Sequence, residues 1–285
     1  MRDNDLPEIV WEEMMMGSKV ILLGTGNPNP DADRSGPSVA ITVDNSVYII
    51  DFGTGIVRRA AGAGINVRKL CRAFLTHLHS DHTIGYPDLI FTPGVAGRTE
   101  PLLVYGPKGL KDMTRHIMAA YKVDVDERIH GLEPAESSAY VVDAHEISEG
   151  HIFQDDYIQV DAFRVDHGSL EAYGYRFQAP ERTIVISGDT RPSQKLIEVA
   201  KGCDILIHEV YSAIGLGSRP EEWKKYHSSV HTSSHELAEI ANKTKPGLVV
   251  MYHQLLWGRT QRELLSEVKE AYSGEVVSGH DLDVY

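Results

Sequence analysis

The run His77-Leu78-His79-Ser80-Asp81-His82 places three imidazoles and a carboxylate directly after a predicted strand. In an extended segment, residues two apart point to the same side, so His77 and His79 can bind one metal ion together. Asp81 and His82 follow where the chain turns, and they can face a second ion. Imidazole nitrogens and carboxylate oxygens suit zinc in an open catalytic site. Because each buried imidazole or carboxylate would otherwise need a polar partner, the run predicts a metal site.

The composition of the whole chain indicates what class of protein carries this run. The 285 residues are 42% hydrophobic and 24% charged, which predicts a folded protein with a sizeable core. The formal net charge of −13 disfavours broad binding to nucleic acid or to an anionic membrane, although it leaves room for a local positive site. The two cysteines favour a reducing compartment, and we expect a cytoplasmic protein.

The chain is expected to divide near residue 17. Residues 1–17 are acidic and lack the charged and apolar regions of a signal peptide, so they predict a leader without fixed structure. From residue 18 to residue 285, short β-rich runs give way to strands that alternate with helices, which predicts one layered α/β domain. Residues 124–138 are polar and without periodicity, and they predict a loop. The glycine- and aromatic-rich stretch 211–227 predicts a connection that either covers the site or only joins two elements.

Further polar residues recur at the ends of predicted strands. One such residue would not indicate a functional site, because a lone histidine is more often structural than a metal ligand. Several together form a pattern, since strand ends and the loops beyond them are where layered α/β proteins assemble sites. The residues are His167, Asp189, His208, Glu209 and His253.

An HxHxDH run followed by isolated His, Asp and His residues resembles the metallo-β-lactamase superfamily, and the resemblance extends from about Val20 to the end of the chain. It implies an α/β fold, a four-layer αββα sandwich of two mixed β-sheets with helices on the outer faces. It also implies two Zn²⁺ ions, with Mn²⁺ or Fe as alternatives. The implied ligands are His77, His79 and His167 for the first metal, Asp81, His82 and His253 for the second, and Asp189 bridging both.

Two branches of that superfamily compete. Several short motifs are similar to ribonuclease Z, where the matching Glu and His deliver a proton, which implies catalytic roles for Glu209 and His231. Ribonuclease Z of the usual short type also carries a long tRNA-binding arm between the positions of His167 and Asp189, and here only 21 residues lie between them. Other stretches look more like the arylsulfatase-type branch. These are residues 29–37, 104–107, 252–254 and 281–285.

We therefore expect a dinuclear-metal hydrolase that cleaves sulfate or phosphate esters with a metal-bridging hydroxide. Asp81 would orient the hydroxide, and His231, positioned by Glu209, would protonate the leaving oxygen. The alternatives are a ribonuclease Z-like tRNA 3′-processing endonuclease and, from another class, a metal-containing binding protein without turnover. The expected partner is a small anionic ester. Nucleic acid is the less favoured partner, a membrane is not expected, and a homodimer is left open.

Aromatic residues near the predicted site loops suggest an apolar wall for an aromatic leaving group. Such residues more often belong to a core, so this is the weaker of the two interpretations. The candidates for the wall are Tyr86, Phe91, Tyr226 and Trp257.

Overall fold

Two mixed β-sheets pack face to face in the computed structural model, which describes residues 17–133 and 135–285. The predicted leader therefore lies, apart from Gly17, outside the described residues. The division into that leader and a domain over residues 18–285 remains a prediction.

The first sheet has the strand order β1-β2-β3-β4-β5-β6. Its first three strands are antiparallel neighbours, and the steps from β3 to β6 are parallel. The strands are β1 (Ser18–Gly24), β2 (Ser38–Val43), β3 (Ser46–Ile50), β4 (Arg72–Phe74), β5 (Leu102–Gly106) and β6 (Val142–Glu146).

The second sheet has the order β13-β12-β11-β10-β9-β8-β7. The strands from β7 to β10 pair antiparallel, and those from β10 to β13 pair parallel. The strands are β7 (Gly150–Gln154), β8 (Gln159–His167), β9 (Leu170–Gln178), β10 (Thr183–Ile186), β11 (Ile205–Tyr211), β12 (Leu248–Leu255) and β13 (Val276–Ser278).

Helices connect the strands on both outer faces. In the described residues they are α1 (Ile56–Gly62), α2 (Ser80–Thr83), α3 (Tyr86–Val95), α4 (Leu110–Ala120), α5 (Lys122–His130), α6 (Gln194–Val199), α7 (Ala213–Gly217), α8 (Glu221–Val230), α9 (Ser234–Thr244) and α10 (Gln261–Lys269), with 3₁₀ turns at Val67–Lys69 and Ser137–Tyr140.

Side-chain alternation in β1 shows how the four layers form. Val20 and Leu22 point into the core between the two sheets, whereas Ile21 and Leu23 point into the core beneath α1, α3 and α4. The second sheet likewise buries its outer face under α6, α9 and α10. The predicted αββα sandwich is therefore confirmed, because strands apolar on both faces need a layer on each side.

The loop predicted for residues 124–138 is wrong over its first half, where helix α5 runs to His130. None of the residues of α5 is buried. The helix packs Val125 and Ile129, both partly buried, against the core beneath α3 and α4, and two apolar residues are too few to show a helical period. Its support includes i,i+4 ion pairs, Lys122 with Asp126 and Arg128 with Asp124.

No helix within residues 17–133 or 135–285 is both long enough and apolar enough to cross a membrane.

A backbone contact between glycines joins the two loops that precede the predicted site. The amide of Gly53 donates to the Pro37 carbonyl over 3.1 Å, and the amide of Gly36 donates to the Thr54 carbonyl over 3.1 Å. A Cβ atom on Gly53 would overlap the carbonyl group of Gly36. The loops can approach this closely only because neither glycine carries a side chain.

Replacing Gly53 by alanine should lower the free energy of unfolding by about 1–3 kcal/mol, because the added methyl group forces two backbones apart. The matched control is Gly217→Ala at the end of α7, where a Cβ would meet no atom within 4 Å. That variant should stay within about 1 kcal/mol of the parent. Urea denaturation followed by circular dichroism measures both, and equal stabilities of the two variants would contradict the packing argument.

Candidate metal centre

The loop after β4, the end of β8 and the loop after β10 bring four ligand atoms together. His79 Nδ1 lies 3.0 Å from His77 Nε2 and 3.1 Å from His167 Nε2. Asp189, in the loop after β10, places Oδ2 at 3.9 Å from both His77 Nε2 and His167 Nε2. These four residues form the first group.

A second group lies on the other side of the Asp189 carboxylate. His253 Nε2 is 3.2 Å from Asp81 Oδ2 and 3.4 Å from Asp189 Oδ2. His82 Nε2 lies 3.5 Å from Asp81 Oδ2 and 3.5 Å from Asp189 Oδ1. The single carboxylate of Asp189 therefore contacts both groups.

The separations between ligand atoms fit metal coordination. Two ligands bound tetrahedrally to zinc at about 2.1 Å lie roughly 3.4 Å apart, and the distances above range from 3.0 to 3.9 Å. Buried atoms within the groups, His82 Nε2 and Asp189 Oδ1, have no hydrogen-bond partner. The structure thus brings together all seven residues that the sequence nominated, and the donor set suits two divalent cations. Their assignment as ligands remains a proposal.

Hydrogen bonds behind the ligands orient three of the rings. His82 Nδ1 donates to Asp51 Oδ2 over 2.7 Å, and His167 Nδ1 donates to the Val230 carbonyl over 2.8 Å. His77 Nδ1 lies 3.0 Å from Thr76 Oγ1, whose hydroxyl in turn donates to Asp51. Each bond places the proton on Nδ1 and leaves the Nε2 lone pair for a metal.

A β-bulge aims His253 at the centre. The register between β11 and β12 shifts after Glu209, so that Tyr252 pairs with Glu209 but Gln254 pairs with Val210. His253 is the extra residue, and its φ of +45° lies in the left-handed region. A bulge re-aims a side chain in this way, at the cost of an unpaired ladder position.

Burial and neighbouring charges shift the pKa values of the residues in the centre. Burial, and then His82, lower the pKa of His77 well below its ordinary value. Burial also opposes a charge on His82, but the carboxylates of Asp51 and Asp189 outweigh it and raise the pKa of His82 well above its ordinary value. Burial would raise the pKa of Asp189, yet His253 and His82 hold it well below its ordinary range. An ionised, fully enclosed carboxylate among imidazoles is an environment that favours bound cations.

Glu209 and His231 form a buried pair beside the two ligand groups. His231 Nδ1 lies 2.9 Å from Glu209 Oε1, which also accepts backbone N–H bonds from Thr190 and Thr232. Burial and then the charge of Asp189 raise the pKa of Glu209 well above its ordinary value, and burial lowers the pKa of His231 to about 4. The carboxyl of Glu209 is therefore protonated and the imidazole is neutral, so the Glu209 O–H donates to Nδ1 of His231 and the ring carries its own proton on Nε2.

The centre opens into a cavity of about 430 Å³. The stretch 211–227, whose role the sequence left open, forms α7 and most of α8 and lines this cavity. Buried Glu267 on α10 anchors α7, because it accepts hydrogen bonds from the Ser212 and Ser234 hydroxyls and from the Ala213 amide. The cavity-lining residues beyond the two ligand groups and His231 include Pro28, Asn29, Arg219, Trp223, Tyr226, His227, Leu255 and Trp257.

The predicted aromatic wall is half right. Tyr86 and Phe91 are buried in the core beneath α3, whereas Tyr226 and Trp257 line the cavity. Sequence reasoning missed Asp51, although a carboxylate at the end of strand β3 follows the same rule that nominated the other strand-end residues.

Two of the stretches that the sequence compared with arylsulfatases meet in space. Asp281, in the C-terminal segment, accepts hydrogen bonds from the Thr25 and Ser35 amides over 2.9 and 2.7 Å. It also pairs with Arg59 over 3.0 Å. The C-terminal segment thus holds the loop of residues 29–37, which lines the cavity at Asn29.

An Asp51→Asn variant tests the orientation of His82. The amide keeps the size of the side chain and tolerates the φ of +61° at this position, but it accepts a proton from His82 Nδ1 less strongly. Metal affinity should fall about 10- to 100-fold, as measured by competition with a chromophoric chelator. Asp44→Asn, at an exposed turn with a similar φ of +49°, is the control. Equal affinities for the two variants would refute the role of Asp51.

Comparison with known proteins agrees with this geometry. The family described as "Anti-Pycsar protein Apyc1" matches residues 18–263. Ribonuclease Z of Mycobacterium bovis (strain BCG / Pasteur 1173P2) is 31% identical over 271 residues, covering 93% of this chain and 96% of the relative.

Solved structures share the fold at lower identity. The metallo-β-lactamase fold protein YhfI from Bacillus subtilis has a TM-score of 0.75 at 18% identity, covering 94% of this chain and 98% of that one. The short form of human tRNase Z has a TM-score of 0.72 at 21% identity, with coverages of 94% and 98%. The chain belongs to the metallo-β-lactamase superfamily, in its ribonuclease Z-like branch and within the Anti-Pycsar protein Apyc1 family.

Proposed function

We propose that this protein is a metal-dependent hydrolase of phosphodiesters. The observation that carries the proposal is one carboxylate, Asp189, in contact with both ligand groups, with the Glu209–His231 pair beside it in the same cavity. A dinuclear centre next to a proton-donating pair suits hydrolysis of an anionic ester with a poor leaving group. The relatives named ribonuclease Z support the phosphodiester over the sulfate ester that the sequence placed first.

Charge explains the preference for an anion. Two divalent cations would carry more positive charge than Asp81 and Asp189 carry negative charge, so the centre would be locally positive on a molecule of net charge −13. When bound, the metals would supply a nucleophile at neutral pH and would stabilise the charge that develops on the phosphate. His77, His79 and His167 would hold one ion, and Asp81, His82 and His253 the other.

His231 is placed to deliver the proton. The pair can share one proton between Glu209 and Nδ1 of His231 across their 2.9 Å hydrogen bond. Movement of that proton onto the ring leaves Nε2–H free to protonate the departing oxygen, after which Glu209 is ionised and His231 is neutral. Asp81 reaches the same cavity and is placed to orient the attacking group.

Two sizes of substrate are supported by different observations. The names of the ribonuclease Z relatives support cleavage at the 3′ end of a tRNA precursor. The short connections between β8 and β10 and the net charge of −13 support a small phosphodiester. Strand β8 passes to β9 through Gly168 and Ser169 alone, so no arm extends from this hairpin.

A substrate panel separates these possibilities. We expect metal-loaded protein to hydrolyse bis-p-nitrophenyl phosphate at least about tenfold faster than p-nitrophenyl sulfate, since both release the same chromophore. Cleavage of a tRNA precursor at its 3′ trailer is measured beside them by gel electrophoresis. Chelation should abolish the activity and added Zn²⁺ should restore it. A preference for the sulfate, or activity that survives chelation, would overturn the proposal.

Removal of the His231 imidazole tests proton delivery. In His231→Ala, cleavage of dithymidine phosphate, whose leaving alkoxide needs a proton, should slow about 10²- to 10⁴-fold. Cleavage of thymidine 5′-(p-nitrophenyl phosphate) should change less than about tenfold, because nitrophenolate leaves without a proton. His235→Ala, at an exposed position of α9, should change neither rate. Equal losses on both substrates in His231→Ala would point to a structural role.

A further inference from the structure

His253 differs from the other buried histidines of the two ligand groups in how its ring is oriented. His77, His82 and His167 each have a hydrogen-bond partner for Nδ1. The buried Nδ1 of His253 has no such partner among the described residues. Its backbone also has a φ of +45°, a conformation that residues other than glycine rarely adopt. The direction of this ring is therefore set by whatever holds the backbone of the bulge.

The side chain of Gln254, the residue directly after His253, bonds to three groups at once. Its Nε2 donates to the Met251 carbonyl over 3.1 Å and to the Gly279 carbonyl over 3.2 Å. Its Oε1 accepts a hydrogen bond from the Ser278 hydroxyl over 2.9 Å. The bond to Met251 spans the bulge, because His253 lies between the two residues. Gln254 is only 3% exposed, so water competes little for these bonds.

These bonds begin where the ladder between β12 and β13 ends. The last register pair is Met251 with Ser278, and β13 ends there, whereas β12 continues past it. The Gly279 amide still donates to the Met251 carbonyl over 2.9 Å. Beyond that bond, the Gln254 side chain takes the place of a strand neighbour. From the loop after β1, Asn27 Nδ2 donates to the Gln254 carbonyl over 2.8 Å.

We propose that Gln254 is a positioning residue that holds His253 toward the second ligand group. A bulge leaves one residue of a strand unpaired, and the bonds on either side of it decide which residue that is. By bonding across the bulge and to the segment after β13, Gln254 fixes the arrangement in which His253 faces Asp189. An apolar side chain of similar length would leave the Ser278 hydroxyl and the Gly279 carbonyl without this partner, and the bulge could rearrange. The inference rests on the proposed function, because it takes His253 as a metal ligand.

Binding of Zn²⁺ tests this role without turnover. The parent protein should bind two Zn²⁺ ions in competition with a chromophoric chelator. Gln254→Met nearly keeps the size of the side chain but removes its hydrogen bonds, so it should lower the affinity for one ion about 10- to 100-fold and leave the other within about threefold. Ser278→Ala, which removes one of the three bonds, should lower the affinity for the same ion about 2- to 10-fold. This milder variant carries the test if Gln254→Met does not fold.

A second background separates positioning from a general loss of stability. Because Gln254 acts through His253, Gln254→Met should change Zn²⁺ affinity less than about twofold in a His253→Ala background. A change that only loosens the fold would lower the affinity in both backgrounds. The matched control is Gln178→Met, at the end of β9 away from His167. It also removes side-chain hydrogen bonds, including one from the Thr183 hydroxyl, but should bind both ions with the affinity of the parent.

Parental affinity for both ions in Gln254→Met, or an equal loss in the His253→Ala background, would overturn the positioning role. If bis-p-nitrophenyl phosphate is still hydrolysed in that case, the proposed function stands without it. Loss of one ion in Gln254→Met but not in Gln178→Met, in a protein that hydrolyses no diester, keeps the positioning role and removes the proposed function. A parent protein that binds no Zn²⁺ would overturn both.

Discussion

The enclosed carboxylate of Asp189 is the point on which the rest of the site depends. Its two oxygens lie within 3.4–3.9 Å of His77, His82, His167 and His253, which come from three segments far apart in the chain. A charge removed from water is tolerated only when opposite charges or hydrogen bonds replace its hydration. The imidazoles replace part of the lost hydration of Asp189, and two divalent cations would replace the rest. The strand ends of both sheets must therefore meet at one rim.

The supporting residues explain why that rim is rigid. Asp51 orients His82 directly and His77 through Thr76, so one carboxylate of the first sheet controls a ligand for each proposed metal. The bulge at His253 lets a residue of β12 leave the ladder and face the centre. Ligands held in this way lose little conformational entropy on binding, which favours a pre-formed site.

Helix α8 couples the centre to its surroundings. Its last residue, Val230, accepts the hydrogen bond that orients His167, and His231 follows immediately to pair with Glu209. The same helix carries Trp223 and Tyr226 at the cavity mouth. A single short element thus serves both a candidate metal ligand and the proposed proton-delivering pair. Substitutions that move α8 should for this reason affect both together.

The sequence by itself predicted the fold and nominated the candidate ligands that the structure brings together. The HxHxDH run and the polar residues at strand ends are local patterns, and the four-layer sandwich was implied by the family that those patterns resemble. Helix α5 left too weak a signal to detect, because only two of its residues, Val125 and Ile129, pack against the core and neither is fully buried.

Only the tertiary structure decided which polar residues meet. Asp51 is 31 residues from His82 and Asp281 is 256 residues from Thr25, and no local pattern encodes a contact across such a separation. The tertiary structure also shows that Tyr226 and Trp257 line the cavity, whereas Tyr86 and Phe91 lie in the core. Aromatic side chains look alike in a sequence whether they pack or bind, and burial, which distinguishes them, is a property of the assembled layers.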